Sequence, residues 1–251
     1  MQQNISPVSL SVVIPAYNEE KRLPSTLERV CSYFSGARDG VPLKDWELVV
    51  VDDGSRDGTA SVVEQWAKRE GRLRLVSNPG NKGKGFAVRN GMRSAKGEWR
   101  LFSDADLSAP IEEIEKLLTA ALRQRADVAI GSRALDRSLV QVHQSVFREA
   151  SGRFFNRIMR MATGLPFLDT QCGFKLYSAN AAEAVFSRQL LEGFSFDVED
   201  LVIAQLLGLK CLEIPVRWAN VEGTKVSALS GAKSFTDLVT IRLNALRGRY
   251  S

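Results

Sequence analysis

Short apolar runs alternate with amphipathic helical patterns through the first half of this chain, and that alternation limits the folds open to it. Uninterrupted apolar runs of this length are typical of strands that are buried on both faces of a parallel sheet. The repeated order of strand, helix and strand, with short links, is typical of βαβ units. We therefore predict an α/β fold with a mainly parallel sheet flanked by helices. The predicted strands are Leu10–Pro15, Glu47–Val51, Leu73–Ser77, Trp99–Ser103 and Asp127–Gly131.

The predicted helices of this half carry apolar residues three and four positions apart, on one face. They span Arg22–Phe34, Thr59–Glu70 and Gly85–Ala95, and a fourth begins near Pro110. Asp57 is placed to cap the helix that begins at Thr59. In a sheet of this kind, ligands bind beyond the carboxyl ends of the strands. The loops that follow the strands are therefore the places to look for functional residues.

The second half of the chain is less regular, but no linker or internal repeat separates it from the first. We expect residues 1–251 to form a single domain. The predicted elements of the second half are a basic helix at Gln144–Thr163, a strand at Phe174–Tyr177, helices near Asn180–Phe186 and at Asp197–Leu207, a strand at Lys210–Val216 and a last helix at Ala232–Arg247.

Composition excludes several kinds of site. His143 is the single histidine, so no site that needs two or more histidine ligands can form. The three cysteines are far apart in sequence, which argues against a disulfide framework and against structural zinc. The formal net charge of +5 is compatible with phosphate-bearing partners or an anionic membrane. The sequence has neither a signal-peptide pattern nor a run of about 20 apolar residues. We therefore expect a cytoplasmic protein whose membrane contact is peripheral, at the cytoplasmic face.

Acidic residues follow three of the predicted strands, and parallel strands bring their carboxyl ends to one edge of a sheet. Glu19 follows the first strand, Asp52 and Asp53 follow the second, and Asp104 and Asp106 follow the fourth. In an extended segment, Asp-x-Asp places both carboxylates on the same side. Two carboxylates this close repel each other unless a cation lies between them. Mg²⁺ or Mn²⁺ bridged to a diphosphate meets that need with few protein ligands.

Taken together, the motifs resemble a known family. The chain carries VVIPAYNEE, VVVDDGSRDGT, NKGKG and FSDADLS in this order and spacing, and so resembles family 2 glycosyltransferases with the GT-A fold. Its later segments GSRA, DTQCGFKLY, FSFDVED and VEGTKVS are similar to the polyprenyl-phosphate branch, and most similar to the glucosyl members. The resemblance covers essentially the whole chain. It implies a Rossmann-like sheet, a nucleotide-sugar-binding half at residues 1–135 and an acceptor-binding half with basic amphipathic helices at residues 136–251.

The resemblance implies roles at the donor site for residues that match the family motifs. Asp104 and Asp106 would hold the diphosphate and a Mg²⁺ or Mn²⁺ ion, with Ala105 packed against the nucleotide. Asp53, with Asp52 beside it, would hydrogen-bond the uracil or the ribose. The nucleoside pocket would be lined by Pro15, Tyr17 and Glu19.

Basic residues are candidates for the two phosphate groups of the implied reaction. In that reaction a diphosphate leaves the anomeric carbon, and fixed cations stabilise the charge that builds on its oxygens. Lys82, Lys84 and Arg133 could stabilise the leaving group or bind the acceptor phosphate. Lys84 lies between two glycines, which would let the backbone approach a phosphate. Arg217 and Lys225 are further candidates for the acceptor phosphate.

The acceptor decides whether a catalytic base is needed. A phosphate monoester is already largely ionised at pH 7, whereas a sugar hydroxyl needs a general base. Asp200 stands where sugar-acceptor relatives keep that base, and Asp197 and Glu199 are acids shared with the polyprenyl-phosphate branch. The resemblance favours inverting transfer of glucose from UDP-glucose to a polyprenyl or dolichyl phosphate.

Three alternatives stay open at this point. The first is transfer of mannose from GDP-mannose, although residues 218–221 lack the arginine of the mannose synthases. The second is transfer to a glycan hydroxyl with Asp200 as the base. The third is a nucleotide-sugar-binding protein or membrane adaptor without turnover, which the intact Asp-x-Asp disfavours.

Two basic amphipathic segments suggest how a lipid acceptor would be reached. Arginines alternate with apolar residues within Gln144–Thr163, and the last helix repeats this pattern. Basic amphipathic helices can lie in the headgroup plane of a membrane. No nucleic-acid-binding motif accompanies them, so we expect no nucleic-acid partner.

Overall fold

The computed structural model describes residues 6–36, 43–142, 157–221 and 228–251, and within the last range the side chains from residue 236 onward. The strands are β1 (Val8–Ala16), β2 (Leu43–Asp52), β3 (Leu73–Ser77), β4 (Trp99–Ser103), β5 (Val128–Ser132), β6 (Val140–Val142), β7 (Phe174–Ser178), β8 (Cys211–Pro215) and β9 (Trp218–Ala219). The helices are α1 (Leu23–Ser35), α2 (Thr59–Ala67), α3 (Lys84–Ser94), α4 (Ile114–Gln124), α5 (Ala179–Phe186), α6 (Phe196–Leu206) and α7 (Ala228–Leu246).

A seven-stranded sheet in the order β3-β2-β1-β4-β7-β5-β8 forms the centre of the molecule. Strand β7 runs antiparallel to β4 and β5, and the other neighbouring pairs are parallel. The mainly parallel α/β sheet predicted from the sequence is therefore confirmed. Strands β6 and β9 form a separate two-stranded sheet that the sequence analysis missed, because strands this short carry no periodic signal.

Most predicted elements lie within one to three residues of their observed bounds, and the strands at Leu73–Ser77 and Trp99–Ser103 are reproduced. Helix α2 ends earlier than predicted, at Ala67, and α7 begins earlier, at Ala228. Residues 157–163 are helical, as predicted for the end of the basic segment. The rest of that segment, with His143, lies outside the described residues.

Alternating side chains of the central strands divide the core into two layers. Val12, Ile14 and Leu48 pack with α1 and α4 on one face of the sheet. Val13 and Val49 pack with α3, α5 and α6 on the other. Because successive side chains of a strand point to opposite faces, one apolar run supplies both layers. This explains why the strands are continuously apolar.

Gly91 permits the close packing of α3 on the sheet. A Cβ atom at this position would lie 2.4 Å from Val13 Cγ1 and 2.7 Å from Val51 Cγ2.

Gly91→Ala is therefore expected to lower the free energy of unfolding, measured by urea denaturation, by about 2 kcal/mol, since overpacking outweighs the gain in helix propensity. Gly71→Ala is the matched control, because a Cβ there meets no atom within 4 Å. Equal stability of the two variants would contradict the prediction.

Candidate active site

The acidic clusters converge on one edge of the sheet, as the sequence predicted. Strands β1, β2 and β4 are mutually parallel, and Ala16 is paired with Asp52 at their carboxyl ends. The antiparallel strand β7 begins at this edge, where Phe174 is paired with Ser103. Strand β5 ends here too, and Arg133 follows it directly. Residues from both halves of the chain therefore meet at this edge.

Asp104 is fixed by a basic side chain and by a glycine. Its Oδ1 lies 2.7 Å from Lys84 Nζ, and its backbone N–H donates to Gly173 O at 3.1 Å. A Cβ on Gly173 would lie only 2.0 Å from Asp104 Oδ2, so no larger residue fits beside this carboxylate. The glycine of the CGF segment thus makes room for the first acid of the Asp-x-Asp pair.

Asp106 and Ala105 lie in a tight turn after β4. Asp106 Oδ1 accepts a hydrogen bond from the Ser108 backbone N–H at 2.9 Å. Ala105 is buried, and its carbonyl accepts from Thr26 Oγ1 at 2.6 Å. Leu107 has a positive φ of 47°, which reverses the chain directly after the motif.

Lys84 lies among acids and aromatic rings. Its Nζ is 5.3 Å from the Phe102 ring centre, 5.8 Å from Phe194 and 5.9 Å from Phe196. Burial acts to lower the pKa of Lys84, but Asp104 and nearby acids outweigh it and raise the pKa. The ammonium is therefore firmly charged at the edge where the carboxylates gather.

The carboxylate of Asp53 organises the loop that precedes Lys84. It accepts hydrogen bonds from Asn78 Nδ2 at 2.8 Å and from the backbone N–H groups of Lys82 at 3.1 Å and Gly83 at 2.8 Å. Asp52 is buried as well, and its Oδ1 accepts from the Ser55 N–H at 3.2 Å. The uracil or ribose contact of these two acids stays a prediction. What the structure adds is that Asp53 fixes the NKGKG loop.

The glycines on either side of Lys84 contact protein where we had expected a phosphate. We define the support loop as residues 187–195. The N–H groups of Gly85 and Phe86 donate to Glu192 O of this loop, at 2.8 and 3.3 Å. A Cβ on Gly83 would lie 2.4 Å from the same carbonyl. These glycines therefore make room for the support loop, and the approach of this backbone to a phosphate stays a prediction.

Residues after β1 hold the neighbouring loops together. Pro15, Tyr17 and Glu19 are half-buried at the end of β1, so they lie at the edge where a nucleoside pocket was predicted. The Glu19 backbone N–H donates to Thr59 Oγ1 at 2.8 Å, which joins the loop to α2. Asp57 Oδ1 accepts from the N–H of Thr59, the first residue of α2, at 3.0 Å, although Gly58 rather than Asp57 is the N-cap residue.

Arg133 is held in a bidentate ion pair. Its Nε lies 2.7 Å from Asp169 Oδ2 and its Nη2 2.8 Å from Asp169 Oδ1, and the guanidinium lies 5.4 Å from the Trp218 ring centre. Burial acts to raise the pKa of Asp169, but Arg133 outweighs it and lowers that pKa. Sequence analysis named Arg133 and missed Asp169, because their 36-residue separation carries no local signal. The ion pair fixes the orientation of the guanidinium plane, and the Trp218 ring lies on one side of it.

A second ion pair, between Lys175 and Asp197, is fully buried. Lys175 Nζ contacts Asp197 Oδ1, and it donates to the Asp197 backbone carbonyl at 3.2 Å. Burial raises the pKa of Asp197 above its usual value, although Lys175 and Lys84 act to lower it. Sequence analysis did not name Lys175, although a lysine within an apolar strand is a usable signal. Lys175 links the acidic start of α6 to the strand beside β4.

Asp200 lies in the core. It is 1% exposed, and neither carboxylate oxygen has a hydrogen-bond partner within the described part of the chain. The Tyr177 hydroxyl is likewise buried without one among these residues. Burial raises the pKa of Asp200 well above its usual range, and Asp197 and Glu199 add to the rise against the opposing effect of Lys175. The neighbouring acid Glu199 differs from Asp200, because its carboxylate accepts hydrogen bonds from the N–H groups of Leu190 and Leu191.

The three remaining cationic candidates differ in their surroundings. Arg217 forms an ion pair with buried Glu113, which Lys116 Nζ also contacts at 2.6 Å. Lys82 is exposed, and its contact in the loop is made through the backbone. Lys225 lies outside the described residues.

Asp104 and Asp106 form the carboxylate pair available to a metal ion. Both are half-exposed at the sheet edge, and carboxylate oxygens suit a hard divalent ion. Within the described ranges, no group of three or more His, Cys, Asp or Glu side chains could hold a metal. The pair therefore fits an ion that takes its other ligands from a bound diphosphate and from water.

The helices in the described part of the chain were compared with the length and hydropathy that a membrane span needs. None of them meets both requirements.

We predict that Asp200→Asn stabilises the fold. Since the folded state keeps a proton on this carboxyl that the unfolded chain releases above about pH 4, wild-type stability falls as the pH rises through that range. The asparagine variant lacks this loss, and its free energy of unfolding at pH 8 should exceed that of the wild type by about 1–3 kcal/mol. Urea denaturation at pH 5 and pH 8 measures both effects.

Asp197→Asn is the contrasting control for that experiment. It removes the partner of buried Lys175 and should destabilise the fold by about 3 kcal/mol. A destabilised Asp200→Asn at pH 8 would show that the carboxylate is charged and satisfied in the folded protein, contrary to our reading.

Comparison with known proteins identifies the family of this chain. Residues 11–186 match the family described as "Glycosyl transferase family 2". The dolichyl-phosphate beta-glucosyltransferase of Homo sapiens is 38% identical over 251 residues, which cover 96% of this chain and 77% of that protein. The enzyme of the same name from Drosophila melanogaster is 38% identical over 228 residues, which cover 88% of this chain and 70% of that protein.

The fold is shared with solved glycosyltransferase structures. Glucosyl-3-phosphoglycerate synthase from Mycobacterium tuberculosis, in complex with Mn²⁺, UDP-glucose and phosphoglyceric acid, superposes with a TM-score of 0.62 at 19% identity. The match covers 94% of this chain and 80% of that one. The structural neighbours are GT-A glycosyltransferases, which confirms the predicted fold class. With the family match and the close relatives, this fold shows that the chain is a glycosyltransferase and belongs to glycosyl transferase family 2.

Proposed function

We propose that this enzyme transfers glucose from UDP-glucose to a dolichyl or other polyprenyl phosphate, with inversion and with a divalent metal ion. The observation that carries the proposal is the 38% identity to dolichyl-phosphate beta-glucosyltransferases over most of both chains. The site supports it, because Asp104, Lys84 and Arg133 lie at one sheet edge with the charges that such a donor and acceptor require.

The donor side would stabilise a departing diphosphate. Asp104 and Asp106 would hold Mg²⁺ or Mn²⁺, which supplies positive charge to the diphosphate oxygens. The Lys84 ammonium contacts Asp104 at 2.7 Å and would add a second, protein-borne cation beside the same oxygens. The C1–O bond to the diphosphate breaks with its electron pair on the leaving group. No proton is needed at this point, so the single histidine of the chain is no obstacle.

The acceptor side would gather a phosphate. One acceptor oxygen forms the new bond to C1 on the face opposite the leaving group, and a single displacement of this kind inverts the anomeric centre. Arg133, fixed by Asp169 against Trp218, and Lys225 are the proposed phosphate-binding residues. Such an acceptor is already ionised and needs no base. The burial of Asp200 supports this reading over a hydroxyl acceptor, since a 1% exposed carboxyl is poorly placed to take a proton.

The membrane side of the proposal rests on α7. Val239, Leu243 and Leu246 are exposed at helical spacing on α7, Arg242 is exposed on the same helix, and Arg247 is exposed directly after its end. An exposed apolar stripe with flanking arginines suits the headgroup region of an anionic membrane. We propose that α7 docks the enzyme peripherally at the cytoplasmic face, where it meets its lipid acceptor.

Asp104→Asn and Asp106→Asn test the donor chemistry. Each should reduce transfer of labelled glucose into lipid extract by about 100-fold or more, since each removes a charge that would fix the metal and diphosphate. Each should also lose the Mn²⁺-dependent part of the rise in thermal midpoint caused by UDP-glucose, because that rise reports ligand binding to the folded state. Asp45→Asn, near the amino end of β2, is the control that should match the wild type.

The same assay decides between the donors and acceptors. GDP-mannose replaces UDP-glucose in a parallel reaction, and a soluble glycan replaces the lipid in another. Lipid-linked mannose would favour the mannosyl alternative, and a soluble product that disappears in Asp200→Asn would favour the hydroxyl acceptor. Absence of lipid-linked product with every common nucleotide sugar would refute the proposal.

Charge removal on α7 tests the membrane contact. Arg242→Gln with Arg247→Gln should weaken binding to phosphatidylserine-containing vesicles about 30-fold, since two basic residues near an anionic surface contribute about 2 kcal/mol together. Lys68→Gln with Arg69→Gln removes the same charge from exposed positions beyond α2, and should have little effect. Equal vesicle binding by the two double variants, measured by cosedimentation, would rule out docking through α7.

A further inference from the structure

The N-terminal turn of α3, which carries Lys84, is seated on the support loop. Besides the two backbone bonds to Glu192 O, the Gln189 side-chain amide donates to Gly85 O at 3.0 Å and to Leu191 O at 2.8 Å. Gly83 and Gly85 each approach the support-loop backbone too closely for any side chain. The position of Lys84 at the donor edge therefore depends on the position of the support loop.

The support loop is held in turn by Glu199, from α6. This side chain is fully buried, and its carboxylate accepts from Leu190 N–H at 3.1 Å and from Leu191 N–H at 2.8 Å. A buried carboxylate needs partners for both oxygens. The donor of a further bond is the Tyr250 hydroxyl, 2.7 Å from Glu199 Oε1.

Tyr250 brings α7 and the residues after it into this network. It is 1% exposed, and its hydroxyl also accepts from Asn244 Nδ2 of α7 at 3.3 Å. A second connection joins α7 to the end of the support loop, where Ser195 Oγ donates to Asp237 Oδ2 at 2.7 Å. One direct hydrogen bond, and one chain of hydrogen bonds through Tyr250 and Glu199, therefore connect α7 to the support loop.

We propose that Tyr250 is a positioning residue, which acts through Glu199 and the support loop to hold Lys84 at the donor diphosphate. Neither Tyr250 nor Glu199 touches the reacting groups in this arrangement. Their contribution is to keep the Gly83–Gly85 backbone against Glu192 so that the Lys84 ammonium reaches Asp104. The donor diphosphate and the kinetic readout of this inference rest on the proposed function, whereas the positioning of Lys84 by the support loop does not.

Tyr250→Phe tests the inference by removing one hydroxyl and keeping the ring. The KM for UDP-glucose should rise about three- to tenfold while kcat changes less, since part of one hydrogen bond's contribution to donor binding is lost. Amide hydrogen exchange of Gly85, Phe86, Leu190 and Leu191 should quicken by at least about threefold, because their acceptors are held less firmly.

Tyr33→Phe is the matched control, since it also removes a tyrosine–glutamate hydrogen bond of 2.7 Å, to Glu115 Oε1. Tyr33 packs against the opposite core layer, and this variant should leave both readouts unchanged. A double-mutant cycle of Tyr250→Phe with Glu199→Gln should be non-additive in KM, because both variants act on the same loop.

The outcomes distinguish a failure of the role of Tyr250 from a failure of the proposed function. If Tyr250→Phe matches Tyr33→Phe in both exchange and KM, or if the cycle is additive, the positioning role is wrong. Hydrogen exchange is measured without any substrate, so it tests the role of Tyr250 even if UDP-glucose is not turned over. Absence of turnover would instead refute the proposed function.

Discussion

Electrostatic repulsion among carboxylates is the constraint on which this site depends. Asp53, Asp104, Asp106 and Asp197 gather at the edge where the parallel strands end, and each needs a positive partner or several N–H donors. Asp53 accepts hydrogen bonds from the NKGKG loop, Lys84 contacts Asp104, and Lys175 contacts Asp197. Asp106 accepts one hydrogen bond, from the Ser108 N–H. In the proposed function, the same balance of charges would prepare the edge for a diphosphate, which brings more negative charge and would therefore need a metal ion.

The antiparallel strand β7 makes this balance possible. Because it enters the sheet at the edge where β4 and β5 end, Gly173 comes beside Asp104 and Lys175 comes beside the start of α6. A parallel strand would have placed the same residues at the other end of the sheet. One reversed strand between β4 and β5 thus supplies both the space and the buried cation that the acids need.

Local patterns predicted the strands and the acids, but the partners of the acids come from long-range contacts. Apolar runs place β1 to β5 within a few residues, and the Asp-x-Asp after β4 marks the edge. Arg133 pairs with Asp169, and Glu199 binds the support loop. Both contacts depend on how separate segments pack, so a periodic sequence pattern cannot predict them. From the sequence, the glycines beside Lys84 indicate only that something approaches the backbone closely, which can be a ligand or another part of the chain. In the structure, the support loop makes this close approach.

The donor edge is assembled from both halves of the chain. Asp53 fixes the loop before Lys84 from the first half, and the support loop fixes the turn after it from the second half. Strand β7, from the second half, lies between two strands of the first. The predicted division at residue 135 therefore runs through one sheet, and the ligand that each half binds stays a prediction. Under the role proposed for Tyr250, a change there would act on the donor edge as well, because the buried Glu199 carboxylate accepts hydrogen bonds from both Tyr250 and the support loop.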